Sequence, residues 1–202
     1  LAFRLHEANP LRHRLLTEVF LALGTIFGSL AIPLALDAQW TSAAWAVEAA
    51  GIYWIGHRQN RPLARSFALL LQFGASCAFL SRLDLPGETS LIEGSALGAL
   101  MLGLSFLSNA WVLRREADKP ERQKEWDSGL AWFFNSLGLW SLFAIAPLSF
   151  QHEGTVCAWA TAGMLSVLLG LRLKARGWLT NGLLVQLLAG GVFLAHLDRG
   201  GE

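Results

Sequence analysis

Charged side chains are scarce in this chain of 202 residues. Asp, Glu, Lys and Arg make up 15% of it and apolar residues 53%, whereas soluble domains usually carry about 25% charged residues. The 16 basic and 15 acidic residues nearly cancel, so no attraction to nucleic acid is expected. The two cysteines, Cys77 and Cys157, fall inside apolar runs, which argues against a disulfide framework and predicts buried, inert thiols.

Motifs that mark common enzyme and metal sites are also missing. The sequence has no Walker loop, GxSxG elbow, HExxH pair or dinucleotide fingerprint. Its five histidines show no close metal-ligand spacing. We therefore predict no catalytic residue, no metal and no cofactor, although an enzyme that uses scattered intramembrane residues stays open.

Long runs without charge are what the sequence does have. About 20 mostly apolar residues span the hydrocarbon of a bilayer as a helix, and polar stripes at helical spacing are almost absent. We predict an all-α, polytopic transmembrane helix bundle of seven spans. The runs are 19–36, 38–56, 66–81, 94–113, 128–151, 154–171 and 177–195, and Glu48 alone interrupts the second.

The basic residues are unevenly distributed among the connecting segments. With seven spans, 14 of the 16 Lys and Arg fall in segments 1–14, 57–65, 114–127 and 172–176, which all lie on one side. Positively charged loops stay cytoplasmic. The N-terminus is therefore expected inside and the C-terminus outside.

The sequence also resembles itself. A shift of 114 residues aligns residues 15–84 with residues 129–198 without a gap, and 20 of the 70 positions are identical, Trp45 with Trp159 and Gln72 with Gln186 among them. We predict one transmembrane domain with an internal parallel repeat, in which helices 1–3 resemble helices 5–7 around a connecting helix at about 90–113.

One acid breaks the symmetry of the two copies. Glu48 occupies the position that Ala162 has in the second copy. At 1.5 Å per residue it lies about 12 Å from either end of its predicted span. A carboxylate at that depth is costly and is a functional hypothesis by default. It is expected to be protonated or strongly hydrogen-bonded, and it acts either on a proton or ligand or as a clamp between helices.

Other polar residues at similar depth are candidate partners of that acid. Polar side chains in spans often hold helices together, and a ligand site is the alternative. The candidate intramembrane polar site consists of Glu48, Gln72, Asn109, Asn135 and Gln186.

Glycines four residues apart predict close helix packing. Gly24 and Gly28 lie in the first span, and Gly94 and Gly98 begin the fourth. Small residues at this spacing let helices approach closely in lipid. We expect packing within the bundle rather than between copies of the chain.

The run "IPLALDAQWTSAAWAVEAAG", followed by a basic turn and "ARSFALLLQ", resembles the family called domain of unknown function 2339. The family consists of large bacterial membrane proteins with many spans. The resemblance implies the bacterial inner membrane and supplies no catalytic residue. In that membrane, the charge distribution predicts a periplasmic C-terminus. Because Leu1 opens the chain and a doubled four-helix unit would need an eighth span, we expect an excerpt of a longer protein.

Three functional hypotheses follow. The first is a structural or assembly module of the cell envelope, whose partners are the lipid bilayer and other membrane helices of the same or another chain. The second is a proton-coupled transporter or permease-like protein that uses Glu48. The third is an enzyme that acts on a lipid-linked substrate.

Overall fold

A computed structural model describes residues 10–35, 38–81, 95–117 and 124–199. All of the regular structure in these residues is helical. The all-α prediction is confirmed. The helices are α1 (Pro10–Ala35), α2 (Ala38–Arg58), α3 (Pro62–Leu80), α4 (Ser95–Ala117), α5 (Lys124–Phe143), α6 (Ile145–Ser149), α7 (His152–Arg172) and α8 (Arg176–Arg199).

Each predicted apolar run corresponds to one of these helices, except that α5 and the short α6 share the fifth run on either side of Ala144. Among the described residues, five stretches are long and apolar enough to cross a membrane. For α1 and α2 the span stays a prediction. The five stretches are Pro62–Leu80, Ser95–Arg115, Gly129–Ser149, His152–Arg172 and Arg176–His196.

The chain divides into two compact units, residues 1–38 and residues 39–202. The first unit contains α1, in which two hydroxyl groups bond to carbonyl groups of their own helix. Thr25 Oγ1 donates to the Leu21 carbonyl oxygen over 2.8 Å, and Ser29 Oγ donates to the Thr25 carbonyl oxygen over 3.0 Å. A bond of this kind satisfies a hydroxyl inside an apolar helix.

In the second unit α4 is the most buried of the five stretches, with about two thirds of its apolar window covered by protein (67%). It runs against α5 in the opposite direction. A Cβ at Gly103 would lie 3.0 Å from the Gly138 carbonyl oxygen, and a Cβ at Gly138 would lie 3.0 Å from the Gly103 carbonyl oxygen. Only glycine leaves room for two backbones this close.

The other glycine predictions have a mixed outcome. Gly98 of α4 lies against Ser42 and Phe79, at 2.9 and 3.2 Å from an added Cβ, as expected for packing within the bundle. Gly94 lies outside the described residues. Among the described residues, nothing lies within 4 Å of a Cβ built at Gly24 or at Gly28.

Helices α7 and α8 form a hairpin that glycines also hold close. A Cβ at Gly163 would lie 2.7 Å from Val185 Cγ1 and 3.0 Å from the Gly182 carbonyl oxygen. Near the turn, a Cβ at Gly170 would lie 2.8 Å from the backbone nitrogen of Leu179. The two backbones therefore approach each other along at least two turns of helix.

The helix bounds follow the shift of 114 residues that the predicted repeat has. Helices α2 and α7 begin 114 residues apart and end 114 residues apart, and α3 and α8 begin 114 residues apart. The turns after α2 and α7 match bond for bond. Arg61 N–H donates to the Gly56 carbonyl over 2.9 Å, and Ala175 N–H donates to the Gly170 carbonyl over 2.9 Å.

The backbone angles of the two turns agree as well. Asn60, with φ 54°, and Lys174, with φ 50°, both take the left-handed conformation that ends helices. They too are 114 residues apart. These correspondences support the internal repeat, which stays a prediction.

The cysteine prediction was partly wrong. Cys77 of α3 and Cys157 of α7 are both free thiols, but their side chains are exposed. They lie on the outward faces of their helices, so position within an apolar run did not imply burial.

Candidate functional site

The best-defined polar contact joins three helices of the second unit. The Ser105 hydroxyl oxygen on α4 lies 2.6 Å from the carbonyl oxygen of Ala46 on α2 and 2.7 Å from the side-chain amide of Gln72 on α3. Ser105 and Gln72 are both buried, Gln72 with 2% of its surface exposed. We call these three residues the three-helix clamp.

A hydroxyl carries one proton, so it cannot donate to Ala46 and Gln72 together. The two contacts are satisfied when the Gln72 amide turns its NH2 group toward Ser105 and the Ser105 hydroxyl donates to Ala46. This order turns the Gln72 nitrogen toward Ser105 and places the Gln72 oxygen at the position that has no hydrogen-bond partner among the described residues. The clamp then forms one chain of hydrogen bonds from α3 through α4 to α2.

Asn109 lies one helical turn beyond Ser105 on the same side of α4. Its side chain is 1% exposed. Neither its oxygen nor its nitrogen has a hydrogen-bond partner in the described part of the chain. Burial of an amide without partners destabilises a fold by roughly 1–3 kcal/mol, which makes Asn109 the most costly of the predicted site residues.

Asn135 belongs to a different seam, between α5 and α8. A Cβ at Gly177 would lie 2.9 Å from Asn135 Nδ2, so the absence of a side chain at Gly177 makes room for the amide. Close by, Asn181 Nδ2 donates to Ser136 Oγ over 2.9 Å and to the Gly177 carbonyl over 2.7 Å. These groups tie α8 to α5.

Gln186 and Gln72 have equivalent positions in the predicted repeat but different surroundings. Gln186 is half-buried, and its Cγ would lie 2.8 Å from a Cβ at Gly163. Its aliphatic part therefore packs on α7, whereas the amide of Gln72 bonds to Ser105 on α4. The described contacts do not form a symmetric pair of glutamine sites.

Glu48 is half-buried on α2, with one carboxylate oxygen inaccessible to solvent. At about 100° per residue it lies about 200° around the helix from Ala46. Ala46 is fully buried and contacts the clamp. Glu48 therefore points away from the clamp, and the structure does not gather the five predicted site residues into one cluster.

A cavity of about 760 Å³ lies in the second unit, at the place where α7 begins and α8 ends. The rings of His152 and His196 stack there with centroids 6.3 Å apart, and Glu153 also lines the cavity. No group of three His, Cys, Asp or Glu suited to a metal occurs within the described ranges.

Sequence reasoning missed two parts of this arrangement. Ser105 was not singled out, although a serine one turn before Asn109 on one helix face was a readable signal. The proximity of His152 and His196 had no such signal, because their distance depends on how α7 packs on α8.

Comparison with known families agrees with these membrane features. A family model described as "Predicted membrane protein (DUF2339)" matches residues 1–91, which include α1, α2 and α3. The resemblance is confirmed over this segment. No curated protein and no solved structure matches the chain. The chain is thus a multi-pass membrane protein in which the family match ends before α4.

Proposed function

We propose that the protein is a structural or assembly module of the bacterial cell envelope, which binds other membrane helices through its apolar surface. The three-helix clamp carries this proposal. The deep polar groups that come together, Gln72 and Ser105, bond to each other and to a backbone carbonyl, so their contacts join helices of the same chain.

The distribution of burial supports the same conclusion. The apolar window of α4 is 67% buried, but those of α7 and α8 are only 22% buried. The hairpin of α7 and α8 is rigid because glycines bring its backbones together, and it presents large apolar side chains outward, such as Leu165, Leu184 and Leu187. A rigid apolar hairpin offers a preformed surface to a neighbouring helix.

The charge distribution supports an orientation in the inner membrane. Arg58 lies over the Trp54 ring at 5.7 Å, and Arg115 lies over the Trp111 ring at 3.9 Å. Both pairs lie at the last turn of a helix, α2 and α4. Trp and Arg commonly mark the interface of a span, and basic ends stay in the cytoplasm. We infer that these ends face the cytoplasm and that the end of α8 faces the periplasm.

A photo-crosslinking experiment tests the assembly role. A benzophenone amino acid replaces Leu187, which is 74% exposed on α8, in the full chain in its native membrane. We expect a protein adduct of defined mass that persists when expression is lowered. The matched control is the same probe at Phe73, which is 71% exposed on α3 and should not give the adduct of that mass. Adducts with lipid alone at Leu187 would contradict the assembly role of this surface.

Transport coupled to Glu48 is the alternative that the test must separate. The E48Q variant removes the titratable proton and keeps hydrogen-bonding capacity. A transporter would lose pH-dependent flux while it remains folded. An assembly module would keep its Leu187 adduct.

A further inference from the structure

Helix α4 contacts α2 and α3 through two residues that lie seven positions apart on α4. A Cβ at Gly98 would lie 3.2 Å from Phe79 Cδ2 of α3. Ser105 reaches the Ala46 carbonyl oxygen of α2 and the Gln72 amide of α3. A small residue of α4 thus lies against an aromatic ring, and a hydroxyl group of α4 lies between two polar groups.

The three residues that α4 covers have identical counterparts on α7 and α8. The pairs, each 114 residues apart, are Ala46 and Ala160, Gln72 and Gln186, and Phe79 and Phe193. On α2 and α3 all three residues are buried. On α7 and α8, Ala160 is exposed, Gln186 is half-buried and Phe193 is 51% exposed. No described helix of the second unit therefore covers the counterparts as α4 covers the first set.

The three counterparts form one surface of the hairpin of α7 and α8. Phe193 lies about 20° from Gln186 around α8, two turns further along. Gln186 Cγ would lie 2.8 Å from a Cβ at Gly163, which follows Ala160 by three residues on α7. We call Ala160, Gln186 and Phe193 the hairpin face.

The amide of Gln186 is independent evidence that the hairpin face lacks a partner. Gln186 lies midway along the apolar stretch Arg176–His196, about 15 Å from either end. Its amide makes no hydrogen bond with the described residues, whereas the Gln72 amide bonds to Ser105. Because hydrocarbon offers no water in place of that bond, an unpaired amide at this depth is costly. A partner that brings a hydroxyl group to Gln186 removes the cost.

We propose that the hairpin face binds an apolar transmembrane helix that carries a hydroxyl group, at the positions that α4 covers on α2 and α3. This inference rests on the proposed assembly function and gives the chemistry of one partner. The partner has Gly, Ala or Ser against Phe193 and, seven residues later, Ser or Thr. That hydroxyl donates to the second lone pair of the Ala160 carbonyl oxygen and accepts from the Gln186 amide.

The contacts of α4 also define the direction of the partner. Gly98 lies against Ser42, 2.9 Å from an added Cβ, and Ser105 bonds to Ala46. The contacts advance in the same direction along both helices, so α4 runs parallel to α2. The partner accordingly runs parallel to α7.

The α4 helix of a second copy of this chain does not fit the hairpin face. Its Gly98 and Ser105 already contact α2 and α3 of their own chain. The partner is therefore an apolar helix other than α4, with the same spacing of a small residue and a hydroxyl group.

Photo-crosslinking from the hairpin face tests the proposal in the full chain in its native membrane. Benzoylphenylalanine replaces Phe193, whose ring it resembles, and the adduct peptide is sequenced. We expect a transmembrane peptide in which Gly, Ala or Ser is followed seven residues later by Ser or Thr.

Two variants test the polar contacts of the hairpin face. Q186L should lower the yield of the adduct at least about threefold, because one interhelical hydrogen bond is lost. A160L should lower it at least about tenfold, because the leucine side chain occupies the place of the partner's hydroxyl group. Both variants should keep the unfolding midpoint of the natural chain, since neither side chain is fully buried.

Two matched controls show whether the effect is specific to this face. T161L places leucine next to Ala160 and should leave the yield unchanged, because its counterpart Val47 stays 55% exposed beside α4. The probe at Leu184 is as exposed as Phe193, at 51%, and lies about 160° from Gln186 around α8. It should give less than a tenth of that adduct.

Several outcomes would overturn the proposal. They are lipid adducts alone, an adduct with α1 or with a second copy of this chain, an adduct peptide without the small residue and the hydroxyl group, or an unchanged yield in both Q186L and A160L. Leu187 lies about 100° from Gln186 around α8, so its probe reports on a different surface. If the hairpin face fails while the Leu187 adduct persists, the assembly function stands without this partner.

Discussion

The three-helix clamp makes a quantitative prediction, because Ser105 contacts two helices at 2.6 and 2.7 Å. S105A removes both contacts and leaves the Gln72 amide buried without a partner. Interhelical hydrogen bonds in membrane proteins contribute about 0.6 kcal/mol on average and about 1.7 kcal/mol at most. An unpaired buried amide costs roughly 1–3 kcal/mol. We expect S105A to lower the free energy of unfolding by about 1–2 kcal/mol.

The Q72L variant perturbs the same clamp differently. It conserves volume and removes the amide, while the Ser105 hydroxyl still donates to Ala46. We expect a loss of about 0.5–1 kcal/mol. Since Q72L removes the group that S105A would leave unpaired, the double variant should lose less than the sum, with a coupling of about 0.6–1.7 kcal/mol.

Steric trapping in bicelles gives the free energy of unfolding for the four members of this cycle. S108A is the matched control, because the Ser108 hydroxyl is exposed and bonds to the Ser105 carbonyl of its own helix over 2.8 Å. It should change stability by less than about 0.5 kcal/mol. Additivity of S105A and Q72L within about 0.3 kcal/mol would refute the clamp.

Further variants address packing, buried polarity and the intramembrane acid. G163L should strongly destabilise the hairpin of α7 and α8, because its Cβ would lie 2.7 Å from Val185 Cγ1; G190L, at an open position, should leave the unfolding midpoint unchanged. N109L should raise the free energy of unfolding by about 1 kcal/mol, measured in the same bicelles, and a loss would indicate a partner outside the described residues. If Glu48 is a clamp, E48Q should keep the unfolding midpoint of the natural chain and E48L should unfold at lower denaturant, whereas equal midpoints for the two variants would contradict the clamp.

The sequence was sufficient to predict the helices because hydropathy and length act locally. Each uncharged run became a helix, since a chain in lipid must satisfy its own backbone hydrogen bonds. The interruption near Ala144 was not predicted. Pro147 is the physical reason for it, because a proline lacks the N–H that would continue the ladder of α5, and it lies at the third residue of α6.

The candidate site was predicted less well, because depth along a span does not define the side of a helix. Gln72, Asn109 and Asn135 were expected to be deep, and they are buried. Which of them meet depends on helix rotation and crossing, so Gln72 reaches Ser105 while Asn135 faces Gly177 on another seam. The predicted repeat did not show which polar residues meet, because residues at corresponding positions, such as Gln72 and Gln186, have different neighbours.

The surroundings of Ala162 on α7 help to interpret why Glu48 stands at the corresponding position of α2. Ala162 packs beside an apolar cluster that includes Leu139, Phe143 and Val185. The hairpin of α7 and α8 thus forms with a methyl group at this position, and the turn after α7 shares its pattern of hydrogen bonds with the turn after α2. A hairpin of this geometry does not require an acid there, and a carboxylate in lipid is costly. We therefore predict that the turn from α2 into α3 forms without the acid, and that any role of Glu48 differs from that of the three-helix clamp.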